Sequence, residues 1–227
     1  MLEIFRRLDD VVIKADLHVH TCYSMDCATS IDEVIARCLD IGIGCLAVAD
    51  HGTVEGALKM KVIAPFTVIV AEEILTPFGE VMGMFLTEGI PSGLSVDETI
   101  RRIKAQDGLV CIPHPYDRLR PSSFSNTKEL EKIMPSVDII EVFNARSIFP
   151  GSRMRAQRLA QKFGKVSSAG SDAHTASEIG TVYIEVPEFS SKDGFLNSLA
   201  QGQVCGRKSN LMVHWASTRN KFKKNTL

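Results

Sequence analysis

The chain has no apolar run long enough to cross a bilayer, a single tryptophan with three tyrosines, and almost no net charge. Each shortage excludes something. A membrane-spanning helix needs roughly 20 predominantly apolar residues, so no membrane partner is expected. With aromatics at 7 % there is little material for the stacked platforms that hold single-stranded nucleic acid, which leaves a nucleic-acid partner the lesser reading. A formal charge of -1 gives no global attraction to polyanions, so any phosphate recognition must come from a local cluster.

Cysteine is sparse and scattered. The six, at positions 22, 27, 38, 45, 111 and 205, lack the dense pattern of a disulfide scaffold and predict reduced thiols in a cytoplasmic protein. Cys22 and Cys27 have zinc-knuckle spacing, but no second pair completes a structural site, and small buried thiols fit them better. The first fourteen residues mix Arg6, Arg7, Asp9 and Asp10 with apolar positions and hold no export core. There are no repeats and no interdomain linker. The expectation is one domain over residues 1–227, with a barrel over about 12–205 and a basic, solvated tail over about 217–227 that carries Arg219, Lys221, Lys223 and Lys224.

Histidine is also scarce, yet five of the six fall beside carboxylates or at strand-like ends: Asp16-Leu17-His18-Val19-His20, Asp50-His51, His114 between Pro113 and Pro115, and Asp172-Ala173-His174. In a strand, residues i and i+2 share a face, so His18 and His20 can meet one ion, and Asp172 with His174 repeats the arrangement. Mixed imidazole and carboxylate donors suit Zn, Mn or Fe, with Mg a poorer match. A single HxH is better explained by imidazoles satisfied by backbone carbonyls. Its repetition after successive apolar runs points to a metal site.

Short apolar runs alternate with amphipathic stretches, the pattern of strand–helix units around a mainly parallel sheet. Strands are predicted over Val11–His20, Cys45–Ala49, Phe66–Ala71, Leu109–Ile112, Asp138–Phe143, Lys165–Ala169 and Val182–Val186, about seven in all, with a hairpin from Glu73 to Leu86. Ser30 to Glu33 and Ser95 to Glu98 read as capping boxes, Gly42 and Gly108 as helix stops, and Thr53 as the cap of a short helix through Met60. The ligand candidates then fall at C-terminal strand ends, the rim that carries chemistry in parallel barrels. Glu73 rather than Glu72 should face inward, because neighbouring strand residues face opposite ways.

With these motifs in order (Asp16 to Thr21 with Ser24 and Asp26, Asp50-His51, Glu73, Ile112 to Pro115, and Gly170 to His174), the chain resembles the PHP family, the polymerase and histidinol phosphatase superfamily of metal-dependent phosphoesterases. The resemblance spans about Asp16 to Val186. It implies a distorted seven-stranded α/β barrel of TIM-like form, with two to three divalent ions at the strand ends. By position, His18, His20, Glu73 and Asp172 would hold one ion; Glu73 would bridge to a second that also takes His114; Asp26, His51 and His174 would hold a third. Many family members carry a histidine on the return arm of the hairpin. Here Met82 stands near that place, and a thioether suits hard cations poorly, which leaves the second ion to water, to Glu80 or absent.

The function expected is hydrolysis of a phosphate ester, that of a small phosphomonoester or nucleotide, by a metal-activated hydroxide. Asp16 and Asp50 are candidates for orienting imidazoles, while Asp172 and His174 sit at the reacting centre. Arg118 and Arg120 in the loop after His114, and Arg146 after Asn144, are the candidate phosphate donors. Arg153, Arg155 and Arg158 read as a solvated helix face. The alternatives are a nuclease acting on oligonucleotides, or a metal-stabilised module that has lost catalysis. Oligomeric state is not legible.

Overall fold

The computed structural model describes residues 11–149 and 151–208, so the basic tail expected over 217–227 lies outside the described residues. Among the described residues nine strands form one sheet: β1 (Val12–Val19), β2 (Ile43–His51), β3 (Thr67–Thr76), β4 (Gly79–Met84), β5 (Leu109–Ile112), β6 (Ile139–Asn144), β7 (Val166–Gly170), β8 (Val182–Pro187) and β9 (Gln203–Gly206). Their order is β7-β6-β5-β4-β3-β2-β1-β8-β9. The sheet curls until the chain just after β7 meets the end of β1. There the amide of His20 donates to the carbonyl of Ala173 at 2.9 Å, and the amide of Asp172 to that of His18 at 2.7 Å.

Seven strands thus make the ring, and the N-terminal half of the seam is filled by β8, antiparallel to β1, with β9 beyond it. The count exceeds the seven predicted because the return arm β4 is a full member of the sheet and because β9 lies in a short segment without a long apolar run. Four neighbouring pairs, β1–β2, β2–β3, β5–β6 and β6–β7, run parallel, whereas β4 is antiparallel to both β3 and β5, and β8 to both β1 and β9.

Alternation sorts the apolar residues into two layers. Small side chains such as Ala15, Cys45, Ala47, Ala49 and Ala71 fill the narrow lumen together with Leu17, Ile69 and Met82. Larger ones, among them Val48 and Val70, face outward and share a second core with helix residues such as Ile103 and Leu130. Those helices are α1 (Ile31–Ile41), α2 (Glu55–Ile63), α3 (Val96–Ala105), α4 (Thr127–Ile133), α5 (Ser152–Phe163) and α6 (Lys192–Ala200).

Helix punctuation holds in part. Ser30 and Glu33 form the reciprocal capping box of α1, and Gly42 closes it in the left-handed conformation. At α3, Ser95 accepts from the amide of Glu98, but the return arm of the box is missing because Arg101 and Arg102 hold the Glu98 carboxylate at 2.7 Å. The left-handed residue after α3 is Asp107, not Gly108. Thr53 only accepts from the amide of Glu55 before α2, whose N-cap is Val54. Arg153 and Arg158 are exposed, as a solvated face requires, whereas Arg155 is half-buried; the guanidinium groups of Arg153 and Arg155 also lie over the rings of Phe143 and Tyr116, at 4.0 and 4.1 Å from the centroids.

Candidate metal centre

A bulge builds the site. Between Asp16 and Val19 the first strand advances three residues while β2 advances two, from Leu46 to Val48. Ala15 and Leu17 point into the lumen, and strict alternation would turn His18 outward; the extra residue restores it to the inside, with His20 beside it. On β2 the inward series Cys45, Ala47, Ala49 ends in His51, and on β3 the series Ile69, Ala71 ends in Glu73. Glu72 faces the opposite way and accepts from the amide of Ile90 at 2.8 Å.

At the mouth of the barrel these side chains converge. His18 Nε2 lies 3.1 Å from His20 Nε2 and 3.4 Å from Glu73 Oε2. His20 Nε2 lies 3.5 Å from Glu73 Oε2 and 3.3 Å from Asp172 Oδ1, and the separation of His18 Nε2 from Asp172 Oδ1 is 3.8 Å. A tetrahedron of N and O donors around zinc at about 2.0–2.1 Å has edges of about 3.3–3.4 Å, close to these. Next to it, His114 Nε2 meets Glu73 Oε1 at 2.7 Å and Glu80 Oε2 at 3.6 Å. On the third side Asp26 Oδ2 lies 3.3 Å from His174 Nε2 and 3.6 Å from His51 Nε2.

Hydrogen bonds set which nitrogen each ring offers. Ser24 Oγ donates to Asp50 Oδ1 at 3.0 Å, so it accepts from Nδ1 of His20 at 3.0 Å and from the amide of His51 at 3.0 Å. Nε2 of His20 is left with its lone pair toward the centre. His174 Nδ1 donates to the carbonyl of Asp172 at 2.9 Å, which frees its Nε2. His18 Nδ1 donates to Glu141 Oε1 at 3.1 Å.

Asp50 therefore reaches an imidazole, but through Ser24. Asp16 reaches none; its carboxylate accepts from the amides of Ser171 and Gly180, both at 2.9 Å, and so fastens the β7 loop to β1. The ring-orienting role imagined for Asp16 belongs to Glu141, which the sequence reading missed. Glu141 also accepts from the amide of His114 at 2.6 Å and from Asn144 Nδ2 at 3.0 Å. The only signal was its place two residues after Ile139 on the inward face of a strand.

The donor set fits divalent cations on two grounds. Glu73 Oε2, Glu80 Oε2, Asp172 Oδ1, Asp26 Oδ1 and His114 Nδ1 are buried without a hydrogen-bond partner, and all but the last two lie toward other donors of the cluster. Five carboxylates, Asp26, Glu73, Glu80, Glu141 and Asp172, also crowd a volume where unpaired negative charge is costly. The protonation pattern reflects this crowding. Burial opposes charging His18, yet Glu73, Glu141 and Asp172 outweigh it and hold the ring well above the ordinary imidazole value. Burial and the neighbouring imidazoles of His174 and His51 push His20 down to about 3. His114 and Asp172 both have left-handed backbones, φ 29° and 54°, strain that the surrounding structure enforces at the rim.

The pocket above the centre has a volume of about 410 Å3 and is walled by Asp26, His51, Glu73, Glu80, Arg120 and Arg146 among others. Arg120 Nη2 donates to Asp172 Oδ2 at 2.5 Å, and Arg146 Nη1 to the carbonyl of Asp172 at 3.4 Å. Arg118 is exposed and does not line the pocket.

A mainly parallel barrel with a histidine–carboxylate cluster at its C-terminal rim defines a metal-centre protein. The chain matches the PHP domain family over residues 16–75 and the PHP-associated family over residues 150–204. It is 33 % identical over 219 residues to an uncharacterised protein of Methanocaldococcus jannaschii, covering 91 % of this chain and 88 % of that one. A two-domain protein of Bacteroides vulgatus, described as containing a predicted PHP-like metal-dependent phosphoesterase, superposes with a TM-score of 0.69 at 15 % identity over 94 % of this chain and 70 % of that one. An amidohydrolase of Chromobacterium violaceum with bound sulfate and no metal gives 0.60 at 16 % identity over 73 % and 89 %. The chain belongs to the PHP superfamily. Among the described residues no helix is long and apolar enough to cross a membrane.

Proposed function

We propose that this protein hydrolyses the phosphate ester of a small molecule, a phosphomonoester or nucleotide, at the rim of the barrel. The observation that carries the reading is the meeting of buried donors lacking partners with Arg120 and Arg146 in one pocket. His18, His20, Glu73 and Asp172 would hold one ion, Glu73 and His114 a second, and Asp26, His51 and His174 a third; Zn, Mn and Fe suit the mixed donors better than Mg. Bound there, such ions lower the pKa of water and neutralise phosphoryl oxygens.

The chain's own groups do the rest. Glu141, Ser24 and the Asp172 carbonyl fix the imidazole tautomers, and Asp50 anchors Ser24. Arg120 and Arg146 would turn their guanidinium groups to the substrate phosphate, whose geometry a planar fork matches. Arg118 would act only if the loop after His114 closed. The fold alone does not select phosphate over an amide, since one superposable protein is an amidohydrolase. Two arginines in a pocket already rich in carboxylates favour a phosphate. The pocket's size favours small substrates over polynucleotides. Buried thiols such as Cys27, Cys38, Cys45 and Cys111, none of them in a disulfide, suit a reducing, cytoplasmic setting.

The test is a panel of phosphomonoesters, nucleotides, oligonucleotides and N-acyl amino acids, run on metal-loaded protein. Turnover of a phosphomonoester, abolished in a folded His174→Ala variant, is the expected result. Cleavage confined to oligonucleotides or amides overturns the substrate class, and no turnover with full metal occupancy favours a non-catalytic module.

A further inference from the structure

The return arm of the hairpin carries a donor that compensates for Met82. In the β3–β4 pairing, Glu73 stands opposite Met82 and Leu75 opposite Glu80. Met82 is 1 % exposed and packs in the lumen with Cys111 and Met84, as part of the floor beneath the centre. Glu80 lies two residues nearer the turn, on the same face and diagonal to Glu73, within reach of a long side chain. It is 4 % exposed. Its Oε1 lies 3.5 Å from His51 Nδ1 and its Oε2 3.6 Å from His114 Nε2, and that second oxygen has no hydrogen-bond partner.

Glu73 and Glu80 are two buried carboxylates sharing the neighbours His51 and His114. Like charges held this closely are unfavourable without a cation between them. A neutral imidazole has one lone pair, and His51 directs Nε2 to Asp26, so it serves the third site and turns its other nitrogen to Glu73 and Glu80. The geometry points to Glu80 as a ligand: the second ion is held by Glu73, Glu80 and His114. Two carboxylates to one imidazole make this the hardest of the three donor sets, suited to Mn2+ over Zn2+, whereas His18 and His20 make the first site softer. The inference rests on the metal-centre reading, but its test counts ions and not turnover, so the two can fail separately.

The experiment is Mn2+ binding by equilibrium dialysis with elemental analysis, on wild type and Glu80→Gln, after chelator stripping. Glu80→Gln should lose about one Mn2+ equivalent or bind it at least about 10-fold more weakly. Stripped of metal, it should melt no lower than wild type, because the substitution removes a like charge from beside Glu73. A Glu80→Gln, Met82→His double variant should regain an ion, now with Zn2+ preferred. Binding isotherms of Glu80→Gln superimposable on wild type overturn the assignment, as does a lowered melting point of the stripped variant with unchanged Mn2+ binding. If Glu80→Gln fails to fold, Glu80→Asp keeps the charge but withdraws the oxygens, and unchanged Mn2+ affinity there has the same force.

Discussion

Replacing Glu141 by glutamine exchanges one acceptor oxygen for a donor at a point where both oxygens accept. Oε1 takes the proton of His18 Nδ1 at 3.1 Å, and Oε2 takes those of the His114 amide at 2.6 Å and Asn144 Nδ2 at 3.0 Å. A glutamine can satisfy one side only. If its NH2 faces His18, the ring must move its proton to Nε2 and lose the lone pair aimed at Glu73 and Asp172. If it faces His114, two donors meet and the strained backbone at φ 29° loses its tether. The first orientation should weaken metal binding about 10- to 100-fold, roughly 1.4–2.7 kcal/mol. The second should cost about 1–3 kcal/mol of folding stability for an unsatisfied buried amide. Chelator-competition titration reads the first, and urea unfolding of the metal-free protein reads the second. A variant unchanged in both would refute the claim that Glu141 orients the centre.

Three further outcomes follow from particular contacts. Arg120→Ala should raise KM for a phosphomonoester roughly 10- to 150-fold, the worth of a charge-assisted hydrogen bond, with a smaller effect on kcat; an unchanged KM would remove Arg120 from the phosphate site. At Gly170 an added Cβ would lie 2.5 Å from His18 Cβ and 2.7 Å from its backbone nitrogen, so Gly170→Ala should wedge the seam open, cost about 1–3 kcal/mol by denaturant unfolding and weaken metal binding. Burial pushes Glu72 up from 4.5 to about 7. The folded state then binds more protons than the unfolded one between those values, so this group lowers stability progressively as pH rises through that window. Glu72→Gln keeps the bond from the Ile90 amide and should stabilise the protein by up to about 3 kcal/mol at pH 8 but hardly at pH 4. An equal effect at both pH values would rule out titration as the cause.

The order of strands and helices, the side of β3 on which Glu73 stands and the gathering of His18, His20, His51, His114 and Asp172 at strand ends were legible because they depend on local periodicity. Alternation assigns a face without knowledge of the partner strand. Capping at Ser30 likewise needs only its own turn. Where the reading failed, a competing contact had intervened: Glu98 was drawn from its cap by Arg101 and Arg102 one turn along the same helix, and Arg155 was drawn partly out of solvent onto the ring of Tyr116.

Tertiary structure alone decided three things. The bulge between Asp16 and Val19, which returns His18 to the lumen, depends on the register against β2 and leaves no mark in a pattern of apolar residues. Glu141 is distinguished from any other acidic strand residue only by the ring and the amide it faces across the barrel. The choice of Arg120 over Arg118 turns on the path of one loop. Periodicity fixes which face a side chain takes. Barrel closure fixes what waits on the other side, because that depends on residues more than a hundred positions away, such as Asp172 beside His18 and His20.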